Sequence, residues 1–287
     1  MIPNRFEYFC PTSLPEALSL LFTYQDDAKI LAGGQSLISL LKLRLANPKY
    51  VVDLGAIGNL NYIRETTDGQ DGRIAIGAMT TYSEIKDSKL LENKCPLLPR
   101  TATVVGDVQV RNRGTLGGSL AHADPAGDMP AAILALKADL KAVGPNGERW
   151  IKAEEFFLGM YATALSSDEI LTEIRVPVLT DRKSAYLKAA RRPSDFAIVG
   201  IAICLKTGSE GICEDITLGV TGVTDKPYRA GAVEAGLTGK KLDPEFIQAA
   251  APGITQDVDV NENMHASREF RSHLARVYLS RVIRAAS

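Results

Sequence analysis

Two short glycine-centred stretches carry the residue types most capable of chemistry. In the first, Lys29-Ile30-Leu31-Ala32 reads as a short buried strand, Gly33-Gly34-Gln35-Ser36 breaks it, and leucines at 37, 40, 41 and 45 follow at helical spacing. A helix beginning there exposes unpaired N–H groups at the positive end of its dipole, which attracts phosphate. Gly33 and Gly34 lack a Cβ, so the backbone can approach a ligand closely, and Ser36 can either cap the helix or donate its hydroxyl to a phosphate oxygen. An ordinary tight turn is the plain alternative for such a glycine pair. Thr115-Leu116-Gly117-Gly118-Ser119 repeats the pattern further along the chain. Two N–H-rich turns facing one site can hold both phosphates of a dinucleotide without any Lys or Arg. Neither stretch completes G-x-G-x-x-G or G-x-x-x-x-G-K-[ST], which excludes the Rossmann and P-loop modes of phosphate binding.

After the second turn comes His122-Ala123-Asp124-Pro125-Ala126-Gly127-Asp128. The carboxylates of Asp124 and Asp128 can accept hydrogen bonds from ligand hydroxyls such as those of a ribityl chain. Asp128 is also well placed to cap a helix starting at Met129-Pro130, and one residue can do both. No Ser or Cys nucleophile motif accompanies His122, so it reads as a packed or loop histidine. Cys10, Cys95, Cys204 and Cys213 form no C-x-x-C pair or cluster spacing, and with only three histidines no iron–sulfur or metal site is expected. Lys+Arg at 33 against Asp+Glu at 34, with no basic block, argue against nucleic acid as a partner. The apolar runs are too short for a membrane span, and the N-terminal residues lack the apolar core of a signal peptide. A cytoplasmic location is the expectation.

These residues need elements to hold them. Ser13-Leu14-Pro15-Glu16 and Thr81-Tyr82-Ser83-Glu84 have the form of capping boxes opening helices. Strands are predicted at Tyr50 to Leu54, Arg73 to Ala78 and Asp168 to Val176, and a hairpin turning at Gly144-Pro145-Asn146-Gly147. Residues 108 to 119 are rich enough in glycine to predict a structured loop. The polar stretch after Pro177 suits a boundary between an α/β region over 1–176 and a smaller domain over 177–287. In the latter, strands near Ala185 to Ala189, Ala197 to Leu205 and Ile216 to Val223 precede helices near Pro244 to Ala251 and Ala266 to Ala285, an α+β order.

Lys29 to Ser36, Gly114 to Ser119 and the following Asp-Pro-Ala-Gly-Asp-Met-Pro resemble the medium subunit of molybdenum hydroxylases of the aerobic carbon monoxide dehydrogenase, quinoline oxidoreductase and glyceraldehyde oxidoreductase type. The similarity runs end to end, from Met1-Ile2-Pro3 through Pro48 to Asp53, Phe156-Phe157-Leu158-Gly159 and Arg191 to Phe196. The resemblance implies a two-lobed FAD-binding domain of the vanillyl-alcohol-oxidase type, followed by a smaller C-terminal domain. Ala32 to Ser36 and Thr115 to Ser119 match positions that hold the FAD pyrophosphate in that family. Asp124 and Asp128 match positions near its ribityl and ring portions, and Leu171 and Lys188 match positions that line the flavin. Without the resemblance, Leu171 reads as a core leucine and Lys188 as a solvated charge. The chain departs from relatives at Gln35, where several have His, at Ser119, where many have Asn, and at Phe196, where carbon monoxide dehydrogenase has Tyr. None of these changes removes a backbone N–H.

What the resemblance implies functionally is an electron-transfer subunit of the xanthine dehydrogenase family. Substrate is oxidised at a molybdopterin centre on a large partner, electrons cross [2Fe-2S] centres on a small partner, and FAD here passes them to an external acceptor. Two such three-subunit units would pair. No side chain of this chain need act as acid or base. A free-standing flavin oxidase would need a catalytic base over the ring, and none stands out. A non-enzymatic nucleotide-binding or assembly module is the other rival, distinguished by failure to take up FAD.

Overall fold

Capping, turn chemistry and alternation set most of the elements. In the computed structural model, which describes residues 2–66 and 72–287 and so leaves Met1 outside, Ser13 caps the helix Leu14–Tyr24 by accepting from the Glu16 N–H at 3.4 Å. The Glu16 carboxylate accepts from the Thr12 N–H at 2.9 Å rather than from Ser13, so the expected box is displaced by one residue. Thr81 and Glu84 form the full reciprocal box at the start of Tyr82–Asp87. The predicted hairpin joins Asp139–Gly144 to Gly147–Lys152, with Gly147 at φ 106°, a region closed to most side chains.

Glu7–Phe9, Tyr50–Asp53 and Ala28–Leu31 form a parallel three-stranded sheet with Tyr50–Asp53 in the middle. Parallel neighbours need crossovers, and the helices Leu14–Tyr24 and Leu37–Leu43 lie in them. The second lobe is built on an antiparallel sheet ordered Ile63–Thr66, Arg73–Gly77, Ile170–Pro177, Asp139–Gly144, Gly147–Lys152. Beyond Pro177, an antiparallel sheet of Lys183–Ala189, Val199–Thr207, Cys213–Thr221 and Tyr228–Arg229 carries the long C-terminal helix Arg268–Ala286.

Residues 108–119 are not a loop. They form two short helices, Val108–Arg113 and Leu116–His122, broken only at Gly114 and Thr115. Asp107 caps the first through the Val110 N–H at 2.9 Å, and Thr115 caps the second through the Gly118 N–H at 3.1 Å. The two caps outweigh the low helix propensity of the glycines, which are used instead for close packing.

The strand Val199–Thr207 is apolar at every one of its first seven positions because both its faces are covered. Ile201 and Ile203 join the core beneath the C-terminal helix, whereas Ala202 and Cys204 join the core of the preceding lobe. The helix Asp128–Ala135 lies on that second face, so close that a Cβ on Gly219 would stand 1.9 Å from the Ala131 carbonyl oxygen. Thr217 Oγ1 donates to the Ala135 carbonyl at 2.6 Å. Among the described residues no helix is long and apolar enough to cross a membrane.

Candidate functional site

Gly33 to Ser36 connect the strand Ala28–Leu31 to the helix Leu37–Leu43, with Gly34 in the left-handed region at φ 76°. Among the described residues, nothing accepts a hydrogen bond from the backbone N–H of Gly33, Gly34, Gln35 or Ser36. Ser36 occupies the cap position but makes no capping bond, so its hydroxyl is available to a ligand. Four consecutive free donors at the head of a helix suit an anion.

The second turn lies directly against the first. A Cβ on Gly33 would stand 1.9 Å from the Arg113 carbonyl oxygen, and one on Gly118 would stand 3.3 Å from the Ala32 Cβ. Gly117 packs on Ala78, whose carbonyl accepts its N–H at 2.8 Å. The second turn therefore has four of its expected amides, those of Leu116 to Ser119, already in use. Leu116 N–H goes to the Thr80 carbonyl, Gly118 N–H to Thr115 Oγ1 and Ser119 N–H to the Thr115 carbonyl. Its glycines let backbone meet backbone, which leaves Gly33 to Ser36 as the donor set and Ser119 as a nearby hydroxyl. Tyr82 lies beneath this turn, its ring 2.6 Å from where a Gly114 Cβ would be, and burial pushes its hydroxyl up to about 12 despite its bond with Ser119.

Asp124 takes one hydrogen bond on Oδ1, from the Ala126 N–H at 2.9 Å, and holds a tight turn in place. Its other carboxylate oxygen remains an acceptor. The ring of His122 lies 5.0 Å from that of Tyr161, and burial holds its imidazole below the usual range even though Asp124 acts in the opposite direction. Asp128 departs from expectation. Gly127 is the cap residue and Asp128 the first helical one. Its buried carboxylate accepts from the Tyr186 hydroxyl at 2.6 Å and from Lys188 Nζ at 3.1 Å. Lys188 is not a solvated charge either: its side chain is 5% exposed, and its ammonium also donates to the Val104 and Asp195 carbonyls at 2.7 and 3.0 Å. Burial raises the Asp128 carboxyl above its ordinary value, more than the lysine lowers it. Leu171 is buried in the main core, on the strand whose Thr172 carbonyl accepts the Ala78 N–H at 2.9 Å, behind the second turn.

Residues 4–179 match the model of the FAD-binding domain in molybdopterin dehydrogenase. The chain belongs to that family. Residues 184–286 of this FAD-binding family member match the carbon monoxide dehydrogenase flavoprotein C-terminal domain. It is 38% identical to the glyceraldehyde dehydrogenase medium chain of Sulfolobus acidocaldarius, over 96% of each chain. It is 37% identical to the carbon monoxide dehydrogenase medium chain of Hydrogenophaga pseudoflava, over 100% of this chain and 98% of that one. The solved carbon monoxide dehydrogenase of Hydrogenophaga pseudoflava superposes with a TM-score of 0.95 at 39% identity, covering 100% of this chain and 98% of that one. Quinoline 2-oxidoreductase from Pseudomonas putida 86 gives a TM-score of 0.93 at 33% identity, with 100% and 98% coverage.

The protein is thus an FAD-binding medium subunit of the molybdenum hydroxylase type, one component of a multi-subunit oxidoreductase with large and small subunits. The α+β expectation, an FAD-binding domain followed by a C-terminal domain, holds. The donors present fit the cofactor, since four consecutive amides with no partner among the described residues suit a diphosphate. Tyr186 was missed in the sequence. Its spacing of two from Lys188 on an alternating strand, which puts both on one face, was the signal that could have found it.

Proposed function

We propose that the amides of Gly33 to Ser36 and the Ser36 hydroxyl hold the FAD diphosphate. Lys29, Ile30, Leu31 and Ala32 deliver that turn, Thr115, Gly117, Gly118 and Ser119 form the wall behind it, and Asp124 accepts hydroxyls of the ribityl chain. Asp128 and Lys188 serve indirectly, by fixing the helix and loop beside the flavin, and Leu171 backs the wall. The observation that carries this assignment is the run of unpartnered N–H groups packed against a second glycine turn. Bound FAD supplies a means of taking up electrons singly and releasing them in pairs, while the chain's own residues bind, orient and seclude it.

The finer assembly is part of the same proposal: a molybdopterin-bearing large subunit, a small subunit with [2Fe-2S] clusters, and a pair of such heterotrimers passing electrons through this chain to an external acceptor. Its support is the match to the medium chains of glyceraldehyde and carbon monoxide dehydrogenases over nearly their whole length. Residues 1–176 and 177–287 are proposed as the two domains. Four free cysteines suit the reducing cytoplasm proposed as its location. Co-purification with native partners tests the assembly: one large molybdenum-containing and one small iron-containing chain should accompany this one in equal amounts. Isolation of a fully active single chain would overturn it.

A further inference from the structure

Arg271 on the C-terminal helix is 4% exposed, yet among the described residues no carboxylate pairs with it. Its guanidinium instead donates to the Ile198 and Gly222 carbonyls at 2.7 and 2.6 Å, and its Nε is buried without a partner. Burying a cation on neutral acceptors alone is expensive, and burial holds this guanidinium below its ordinary range. What the two carbonyls belong to explains the placement. The Gly222 N–H donates to the Pro125 carbonyl at 2.7 Å, and the Thr221 hydroxyl, with its single proton, sits between the Pro125 and Gly127 carbonyls at 2.7 and 2.9 Å. On the other side of the guanidinium, the Ala197 N–H donates to the Ala126 carbonyl at 3.2 Å. Gly222, at φ 80°, has no room for a side chain, since a Cβ there would lie 2.6 Å from the Ile198 carbonyl oxygen. One buried group therefore ties together three pieces of backbone: residues 221–222, residues 197–198 beside the exposed Phe196, and through both of them the turn of Asp124.

We propose that Arg271 is a positioning residue for the flavin, acting from the C-terminal helix through this strap to set where the Asp124 turn and Phe196 stand. The inference rests on the FAD site assigned above and adds a residue far from it in sequence.

The test uses the full-length chain carrying Arg271→Met, Arg271→Lys and Thr221→Val, with Gly33→Ala as a separate check on the site. Visible circular dichroism of bound flavin, its dissociation rate and far-ultraviolet dichroism are recorded for each. Arg271→Met should keep the native far-ultraviolet signal, alter the flavin bands and release FAD about tenfold faster, a part of what losing both its charge-assisted hydrogen bonds costs. Arg271→Lys should recover much of the effect, and Thr221→Val should shift the flavin bands in the same direction. If Arg271→Met fails to fold, Thr221→Val decides. Wild-type flavin bands and release in the folded variants overturn the strap while leaving the site intact, provided Gly33→Ala loses FAD. Full FAD retention by Gly33→Ala overturns the site itself.

Discussion

Gly33→Ala adds one methyl group at the point where the two glycine turns meet. Its Cβ would stand 1.9 Å from the Arg113 carbonyl oxygen, so reaching an ordinary 3.4 Å contact requires the turns to part by about 1.5 Å. Overpacking of this kind costs about 1–3 kcal/mol, and at about 2–4 °C per kcal/mol for a chain near this size, Tm should fall by roughly 2–12 °C. The effect on FAD is larger, because the donors of Gly33 to Ser36 are carried on the displaced segment. Losing two hydrogen bonds to a charged diphosphate, at about 1.5–3 kcal/mol each, weakens binding by about two to four orders of magnitude. Flavin absorbance per polypeptide after gel filtration, followed by titration with FAD, reads the affinity, and calorimetry reads Tm. Gly58→Ala is the control, since a Cβ there meets nothing within 4 Å. A Gly33→Ala protein with a full complement of FAD, affinity within about threefold of wild type and an unchanged Tm would refute the packing argument and the assigned donor set together.

Lys188→Met leaves the Asp128 carboxylate buried with only Tyr186, and should cost about 3–5 kcal/mol in denaturant unfolding; the double variant with Asp128→Asn should recover part of that loss. Because burial raises Asp128 in the folded protein, its contribution to stability is greatest below the ordinary aspartate range and is lost as pH rises through the folded value. Asp128→Asn should remove that component from a plot of stability against pH, and an unchanged curve would count against it. His122 is held low by burial, so its contribution is present above 6.5 and is lost as pH falls through the depressed value. His122→Gln should flatten the stability and FAD-retention profiles across that acid limb. Cys204 is buried and its thiol is pushed up to about 12 by burial, a poor metal ligand. Cys204→Ser should leave any iron–sulfur signal of the proposed complex unchanged by electron paramagnetic resonance.

Local chemistry in the sequence located most of the elements that hold the site. The Thr81 box, the Gly144 to Gly147 hairpin and the strand-turn-helix around Gly33 depend on neighbours in the chain, and each is where propensity and turn chemistry put it. By propensity the glycines of residues 108–119 point to a loop, whereas Asp107 and Thr115 supply caps that hold two helices there. The free amides of the first turn were legible for the same local reason. The occupied amides of the second turn were not, because two of their acceptors, Ala78 and Thr80, lie at a strand end distant in sequence. The pairing of Asp128 with Tyr186 and Lys188 is likewise a product of tertiary packing, as is the burial of a lysine that composition alone would put in water. Short strands such as Glu7–Phe9 and the helix Gly231–Leu237 escaped notice because they are too brief to show a period.

The strand Val199–Thr207 gives one row of its side chains to the hydrophobic interior on each side of it. A fragment ending near residue 180 would lay bare the greasy surface of the helix Asp128–Ala135, and the complementary fragment would expose the face of its sheet turned away from the C-terminal helix. Swapping the C-terminal third between family members therefore amounts to transplanting half of someone else's interior. Chimeras that exchange the helix together with the sheet should be expressed in usable yield, and those that exchange the sheet alone should aggregate.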